Sequence, residues 1–281
     1  MSLCKFLGSA IIVLLAGVGN ASAADVAPPK PAAQESADSI YVTLGIGPEM
    51  MPSFPGSKGF RAVPTAHFGW GKTDPFYAPD DGFDVALFNN GTVAFGPVAR
   101  VREQRSLGNG NANFYGIHDI GWTFEIGGFG ELWLADFLRT RAEVRQGVNG
   151  HNGLVADVMI DYVYRSGPWT ASIGPRLAFG NNTFMRAFFS VTPWEAQLNG
   201  RVYPYQANGG LASLGTMLSV KYQFTPTWSF NLFGGYNRLM GSAADSPIPN
   251  RLGSSNQWTT GGIIAYTFDL KQAAHSIGFD F

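Results

Sequence analysis

The segment Trp258-Thr-Thr-Gly-Gly-Ile-Ile-Ala-Tyr-Thr-Phe268 has a period of two. Thr260, Gly262, Ile264, Tyr266 and Phe268 fall on one face, and Thr259, Gly261, Ile263, Ala265 and Thr267 on the other. The first face becomes more apolar and more aromatic toward its end. A strand does this when its outer surface meets lipid and its ring-bearing end lies at a membrane interface. Similar alternation recurs from Ile40 onward, between Gly, Asn, Asp and Pro punctuation. Strands are predicted near 39–46, 61–70, 82–88, 92–103, 122–133, 139–148, 154–165, 168–178, 183–191, 211–224, 227–238 and 258–268. That is about twelve, an even number as in single-chain bacterial barrels.

The only long apolar run is N-terminal. Lys5, the apolar stretch Phe6 to Val18 and the small-residue site Ala21-Ser22-Ala23 make residues 1–23 a secretory signal peptide. Its removal leaves no helical span, so a membrane location requires a closed barrel. Cleavage also removes Cys4 and Lys5, leaving 18 basic against 20 acidic residues, a net charge of −2, and no cysteine. Thiolate and disulfide chemistry are thereby excluded. Charged residues are 14% of the chain, against about 25% in ordinary soluble domains, and no basic block points to nucleic acid. Residues 24–38, rich in Pro and Ala, read as a flexible periplasmic tail, and 39–268 as the barrel.

Alternation also sorts the charges. Arg139, Arg141, Glu143 and Arg145 share one face of their strand, and Asp157, Asp161 and Arg165 share one face of the next. In a soluble sandwich that face would meet water; in a barrel it lines the lumen. Aromatics ending the opposite faces, among them Trp70, Trp122, Tyr162, Tyr164, Trp169 and Trp228, suit interfacial girdles, and segments of about ten residues suit a tilted crossing. The candidate lumen charges are Arg100, Arg102, Glu125, Glu131, Arg141, Glu143, Arg145, Asp157, Asp161, Arg176, Arg186 and Lys221. They either pair into a network that plugs the barrel or line a narrow pore.

With both termini in the periplasm, the 47–60, 192–210 and 239–257 connections face outward, and the long polar 104–121 segment faces the periplasm. Its Arg105, His118 and Asp119 are the candidate periplasmic contact residues, the rival reading being an inner plug. His118 and Asp119 are adjacent, and neighbours on a strand point to opposite faces, so they read as loop polarity, not as a catalytic pair. The four histidines, His67, His118, His151 and His275, show no zinc-type spacing. No catalytic, cofactor or metal residue is assigned, and the expectation is a protein that is not an enzyme.

Several segments in one order resemble the MipA/OmpV family of outer-membrane proteins. They are Phe54-Pro-Gly-Ser57, His118-Asp-Ile-Gly121, Ala142-Glu-Val-Arg-Gln-Gly-Val148, Phe188-Phe-Ser-Val-Thr-Pro193, Arg238-Leu-Met-Gly-Ser-Ala-Ala-Asp-Ser-Pro-Ile248 and the terminal strand. The family is named for a member that binds a lytic transglycosylase and a bifunctional murein synthase. The resemblance therefore implies an outer-membrane scaffold for peptidoglycan-remodelling enzymes in a Gram-negative bacterium. Other members are described as porin-like or adhesive, which keeps a narrow pore for small polar solutes, or a surface adhesin, as alternatives. Implied partners are outer-membrane lipid, a murein transglycosylase and synthase, and the barrel-assembly machinery. Related chains usually stop at the aromatic corresponding to Phe268, whereas here 269–281 form an extension ending in Phe281, so either aromatic could serve as the assembly signal.

Overall fold

The computed structural model describes residues 40–71, 76–106 and 112–271. The signal peptide, the N-terminal tail and residues 272–281 of the extension lie outside the described residues. Twelve strands form one antiparallel sheet: β1 (Tyr41–Pro52), β2 (Phe60–Gly71), β3 (Phe83–Asp84), β4 (Phe88–Asn89), β5 (Val93–Arg102), β6 (Thr123–Ala135), β7 (Leu138–Val148), β8 (Leu154–Ser166), β9 (Trp169–Gly180), β10 (Gly210–Gln223), β11 (Trp228–Leu239) and β12 (Asn256–Asp269). The sheet runs β2-β1-β12-β11-β10-β9-β8-β7-β6-β5-β3, with β4 also on β5. β3 and β4 are two halves of one interrupted strand, giving eleven passes in a nearly closed barrel. Among the described residues no helix is long and apolar enough to cross a membrane.

The strands follow from the alternation. Along β7 the burial swaps residue by residue, with Arg139, Arg141, Glu143 and Arg145 buried and Val144 and Val148 exposed. Outward faces carry Leu44, Ile46, Phe124, Ile126, Ile173, Leu218, Leu232 and Ile264, all well exposed. Lipid solvates such a surface, so its exposure costs nothing in a bilayer. The predicted terminal strand lies within β12, whose Tyr41↔Asp269 to Met50↔Thr260 register with β1 joins the two ends of the barrel.

Strand direction alternates around the sheet, and the alternation fixes where each connection lies. β1 and β12 are antiparallel neighbours, and counting onward through β5 makes β3 run the same way as β2, the other end strand. After Gly71 the chain must therefore climb back before β3 begins. Residues 76–82 do so through the interior: Ala78 is 1% exposed, and Asp80 and Asp81 bond arginines of β9 and β7. No ladder joins β2 to β3 among the described residues. The Arg61–Glu103 ion pair spans the gap between β2 and the end of β5.

Two expectations are corrected here. The stretch predicted as a strand at 183–191 is largely helix α1 (Asn182–Phe189). Its buried residues Phe184, Met185, Phe188 and Phe189 repeat at helical spacing, and Asn181 caps the first turn by accepting from Phe184 N. The 82–88 strand runs opposite to its expected direction because the chain first returns through the lumen. The two differences cancel at the ends of the chain but invert everything between. The 104–121 segment thus lies at the same end as the 47–60, 192–210 and 239–257 connections, not with the termini.

At that end α1, α2 (Pro193–Asn199), α3 (Gly241–Ala244) and a π-helical turn (Ile248–Leu252) build a canopy. One apolar cluster joins Phe184, Met185, Phe188 and Phe189 to Ile120, Val155, Leu239 and Ala243. A second joins Phe54, Phe114, Ile117, Val191, Val202, Ile248 and Leu252, one or more from each of four loops. Among the described residues the strand connections at the opposite end are tight turns. At Asn89-Asn90-Gly91, the Asn side chains accept from Gly91 N and Val93 N, and Gly91 has a φ of +86° that favours glycine. Short turns face the periplasm in outer-membrane barrels and longer loops face out, so the canopy is external. A membrane-impermeant maleimide added to intact cells should label Tyr115→Cys in the canopy and leave Ser166→Cys at a short turn unlabelled. The reverse pattern would restore the inverted topology.

A charge-paired lumen as the candidate functional site

β7 places Arg139, Arg141, Glu143 and Arg145 in one inward row. Register sets Arg141 opposite Glu131 of β6, Arg139 opposite Asp161 of β8 and Glu143 opposite Asp157, while Arg100 of β5 faces Glu125 of β6. Arg139 donates to Glu131 at 2.9 Å and to Asp161 at 3.1 Å. Arg141 donates to Glu143 at 2.9 Å and lies 3.4 Å from Glu131. Arg145 reaches Glu125 at 3.0 Å and also pairs with Glu143 and Asp157. Arg100 pairs with Glu143 at 3.3 Å, and Arg102 with Glu125 at 2.5 Å. Arg139, Arg145, Glu125, Glu143 and Asp161 are all fully buried. An isolated ion in such a place costs several kcal/mol, so the ladder holds only as a network.

The interior strap completes it from the centre. Asp80 accepts from Arg176 Nε and Nη2 at 2.7 and 3.1 Å, a two-pronged contact that a carboxylate and a guanidinium fit geometrically. Asp81 accepts from Arg139 at 2.6 Å, Asp84 from Arg141 at 2.5 Å, and Gly82 N donates to Glu143 at 3.1 Å. Phe76 packs edge-on against Trp133 and under the Arg139 guanidinium. The strap therefore crosses the lumen held by side chains of β6, β7 and β9. At the upper end of the ladder His151 Nε2 lies 3.0 Å from Glu125, and Gly147 leaves room for that imidazole, since a Cβ there would sit 2.3 Å from it.

Ten of the twelve candidate lumen charges meet in this network. Arg186 does not: it lies on the exposed side of α1, because its segment is helical. Lys221 faces inward but lines a separate chamber near the short turns. Arg139 was visible on the charged face but belongs among the central residues, Asp80 and Asp81 come from a connection where no alternation signals the lumen, and Asp84 is the inward residue of the short β3. The signal available for them was charge: three aspartates within five residues in a chain otherwise poor in charge.

The candidate contact residues form a clasp inside the canopy. Arg105 is 2% exposed and donates to the carbonyls of Ala187, Phe188 and His118, closing the C-terminal end of α1, where a cation is favoured. Burial pulls its guanidinium down to about 10. His118 Nδ1 lies 2.6 Å from Glu195 Oε1, and its backbone N–H donates to the same oxygen at 2.8 Å. Glu195 also forms a capping box with Thr192 at the start of α2. Burial pushes the Glu195 carboxyl up, but hydrogen bonds from Thr192 and His118 outweigh it and hold the group at about 2. Asp119 is exposed beside the clasp. The Gly241-Ser-Ala-Ala-Asp-Ser-Pro247 segment is canopy packing too, with Ser246 donating to Phe189 O at 2.6 Å. Among the described residues no group of three or more His, Cys, Asp or Glu is arranged to hold a metal ion.

The family model described as MltA-interacting protein MipA matches residues 44–268. This chain belongs to the MipA family. It is an outer-membrane β-barrel of a Gram-negative bacterium. The structure is similar to an outer-membrane channel from Pseudomonas putida F1, at 10% identity and a TM-score of 0.44 over 85% of this chain and 99% of that one. It is also similar to KdgM porin, at 11% identity and a TM-score of 0.35 over 82% and 99% of the two chains. For the outer membrane protein OprD from Pseudomonas aeruginosa the figures are 13% and 0.32 over 83% and 66%. No curated protein sequence matches the chain.

Arg141→Ala, which orphans buried carboxylates, should lower barrel stability by about 3–5 kcal/mol in urea unfolding from detergent micelles, whereas Arg201→Ala on the canopy surface should change it by less than about 0.5 kcal/mol. The canopy has its own pH dependence. A carboxyl held low in the folded state contributes stability that is full above its ordinary range and is lost as pH falls through about 2. Proteolytic sensitivity of α2 by an acid-active protease should therefore rise as pH drops from about 5 to about 2, and Glu195→Gln should flatten that dependence.

Proposed function

We propose that this protein is a closed, non-enzymatic barrel that serves as an outer-membrane scaffold for peptidoglycan-remodelling enzymes. A single observation carries the choice of scaffold over conduit: the strap at 76–84, with Asp80, Asp81 and Asp84 tied to Arg176, Arg139 and Arg141, occupies the path a solute would take. The family description, MltA-interacting protein, supplies the partner class, a murein transglycosylase. The docking surface is on the short-turn side, where the turns at 136–137, 167–168 and 224–227 face the periplasm. The 104–121 segment has no part in it, being canopy.

A second reading is a narrow pore for small polar solutes. Its support is that residues 76–82 of the strap, ahead of β3, are held by side chains and not by a strand ladder, so their displacement would open an arginine-lined path. Planar-bilayer recording and affinity recovery from crosslinked envelopes separate the two. The scaffold reading expects no steady conductance from the wild-type barrel and co-recovery of a murein enzyme that survives replacement of 112–116 by a short turn. A steady channel whose ion selectivity changes in Arg141→Ala or Arg145→Ala, with no enzyme recovered, would replace it by the pore.

A further inference from the structure

On the outer wall, β11 and β12 carry an ordered set of outward residues at the canopy end. Register sets Arg238 opposite Asn256, Tyr236 opposite Trp258 and Gly234 opposite Thr260. The Tyr236 and Trp258 rings lie 4.5 Å apart, and Trp258 is well exposed. An aromatic pair at the upper limit of an apolar wall marks the membrane interface, so the groups just above it stand at the level of lipid headgroups. The first of these is Arg238. Its Nη1 donates to Asn256 Oδ1 at 3.2 Å, and the Tyr236 hydroxyl donates to the same oxygen at 2.8 Å. A guanidinium has five N–H donors, so this bond orients it and leaves others for a two-oxygen acceptor.

Two more cations reach this corner from the loops above it. Gly56 of the β1–β2 loop is gripped by the β11–β12 connection: Ser254 N donates to Gly56 O at 2.9 Å, Gly56 N donates to Gln257 Oε1 at 3.1 Å, and Gln257 Nε2 donates to Ser57 O at 3.0 Å. Lys58 follows Ser57, and Arg251 lies two residues before Gly253, where a Cβ would sit within 1.8 Å of Gly56 O; both cations are exposed. Gln257 in turn follows Asn256, the partner of Arg238. Arg186 and Arg201 are exposed at the same end, against the exposed carboxylates Asp119 and Asp245 among the described residues, and residues 107–111 contain no charged group. Below the aromatic pair the wall dips. The next outward row runs Leu218, Gly234, Thr260, Met50 across β10, β11, β12 and β1, with Leu218 and Met50 exposed. A Cβ added to Gly234 would meet nothing closer than Thr259 O at 3.8 Å. Two small residues between two large ones make a furrow that runs from the Arg238 corner into the apolar belt.

We infer that this corner is a binding site for a phosphorylated lipid of the outer leaflet. The headgroup phosphate takes the two-pronged contact of Arg238, with Lys58 and Arg251 adding charge from above, the arrangement by which basic clusters beside a bilayer recognise anionic headgroups. An acyl chain lies in the furrow over Gly234 and Thr260, with the Tyr236–Trp258 pair between phosphate and chain. The site is continuous with the lipid-facing wall, which commits it to a membrane lipid in preference to a free anion. It is independent of the lumen and holds whether the barrel is a scaffold or a pore.

Diphosphoryl lipid A tests the site, added to the full folded barrel in a non-ionic detergent at constant ionic strength, with retained lipid counted by native mass spectrometry. Lipid A stripped of both phosphates is the analogue without the charge, and inorganic phosphate is the analogue without the chains. Saturable retention of lipid A is expected, weakened about tenfold in Arg238→Gln, further when Lys58→Gln and Arg251→Gln are added, and unchanged in Arg201→Gln. Gly234→Leu, which fills the furrow where a side chain has room, should weaken retention with every charge in place. Heat-modifiable gel mobility confirms that each variant is folded, and the wild-type comparison of the two lipids stands without any variant. Equal retention of the dephosphorylated lipid, wild-type affinity in Arg238→Gln or Gly234→Leu, an equal loss in Arg201→Gln, or displacement of lipid A by an equal concentration of inorganic phosphate would each overturn the assignment.

Discussion

A guanidinium buried in a barrel wall that faces lipid on its other side cannot be left without a counter-charge, and this requirement organises the whole interior. β7 alone brings three, Arg139, Arg141 and Arg145, on the same face, with Glu143 between the last two. Carboxylates of β6 and β8 meet them in register, yet Arg139 and Arg141 still turn part of their donors toward the barrel axis. The strap answers this with Asp81 and Asp84, while Asp80 answers Arg176. Filling the lumen and satisfying the ladder are the same event. Such networks add little net stability compared with an apolar core of the same volume, but removing one member leaves the others exposed to the full desolvation penalty. They fix one arrangement more than they strengthen it.

The fold class and most of the ladder were legible because alternation is a local property. Arg141, Glu143 and Arg145 could be assigned to one side of a strand from spacing alone, and the opposing Asp157 and Asp161 likewise. The strap was not legible because nothing in Ala78-Pro-Asp-Asp-Gly82 alternates; a connection that enters a lumen looks, in sequence, like one that lies on a surface. The helix at Asn182–Phe189 was misread for a related reason. Thr183 to Val191 has apolar residues at spacings that serve either period, and the decision rested on Asn181, whose capping role depends on the fold around it. These two local ambiguities, not the strand boundaries, inverted the sides of the loops between.

The molecule therefore has two interiors of opposite kind. The barrel is polar within and apolar without, whereas the canopy buries Phe184, Phe188, Ile248 and Leu252 as a soluble domain would. They meet at His151, whose ring contacts Phe184 and Phe188 above and Glu125 below. Arg105 plays the corresponding role within the canopy, a cation that closes a helix end instead of joining the ion-pair ladder.

The unusual partnership of β2 and β3 bears on how the molecule is put together. The first and last strands are zipped along a full ladder, with Thr43 and Thr267 hydroxyls bonded at 2.8 Å across 224 residues of sequence. The two strands that lack a mutual ladder are close neighbours in the chain. A segment threaded through the middle of a ring cannot be inserted once the ring is finished without unthreading something. Here, however, the strands on either side of the strap in the chain, β2 and β3, are the two rims of the discontinuity in the described sheet. The wall can wrap around it from both sides, as a coat closes over a scarf, with the chain ends already fastened at the back.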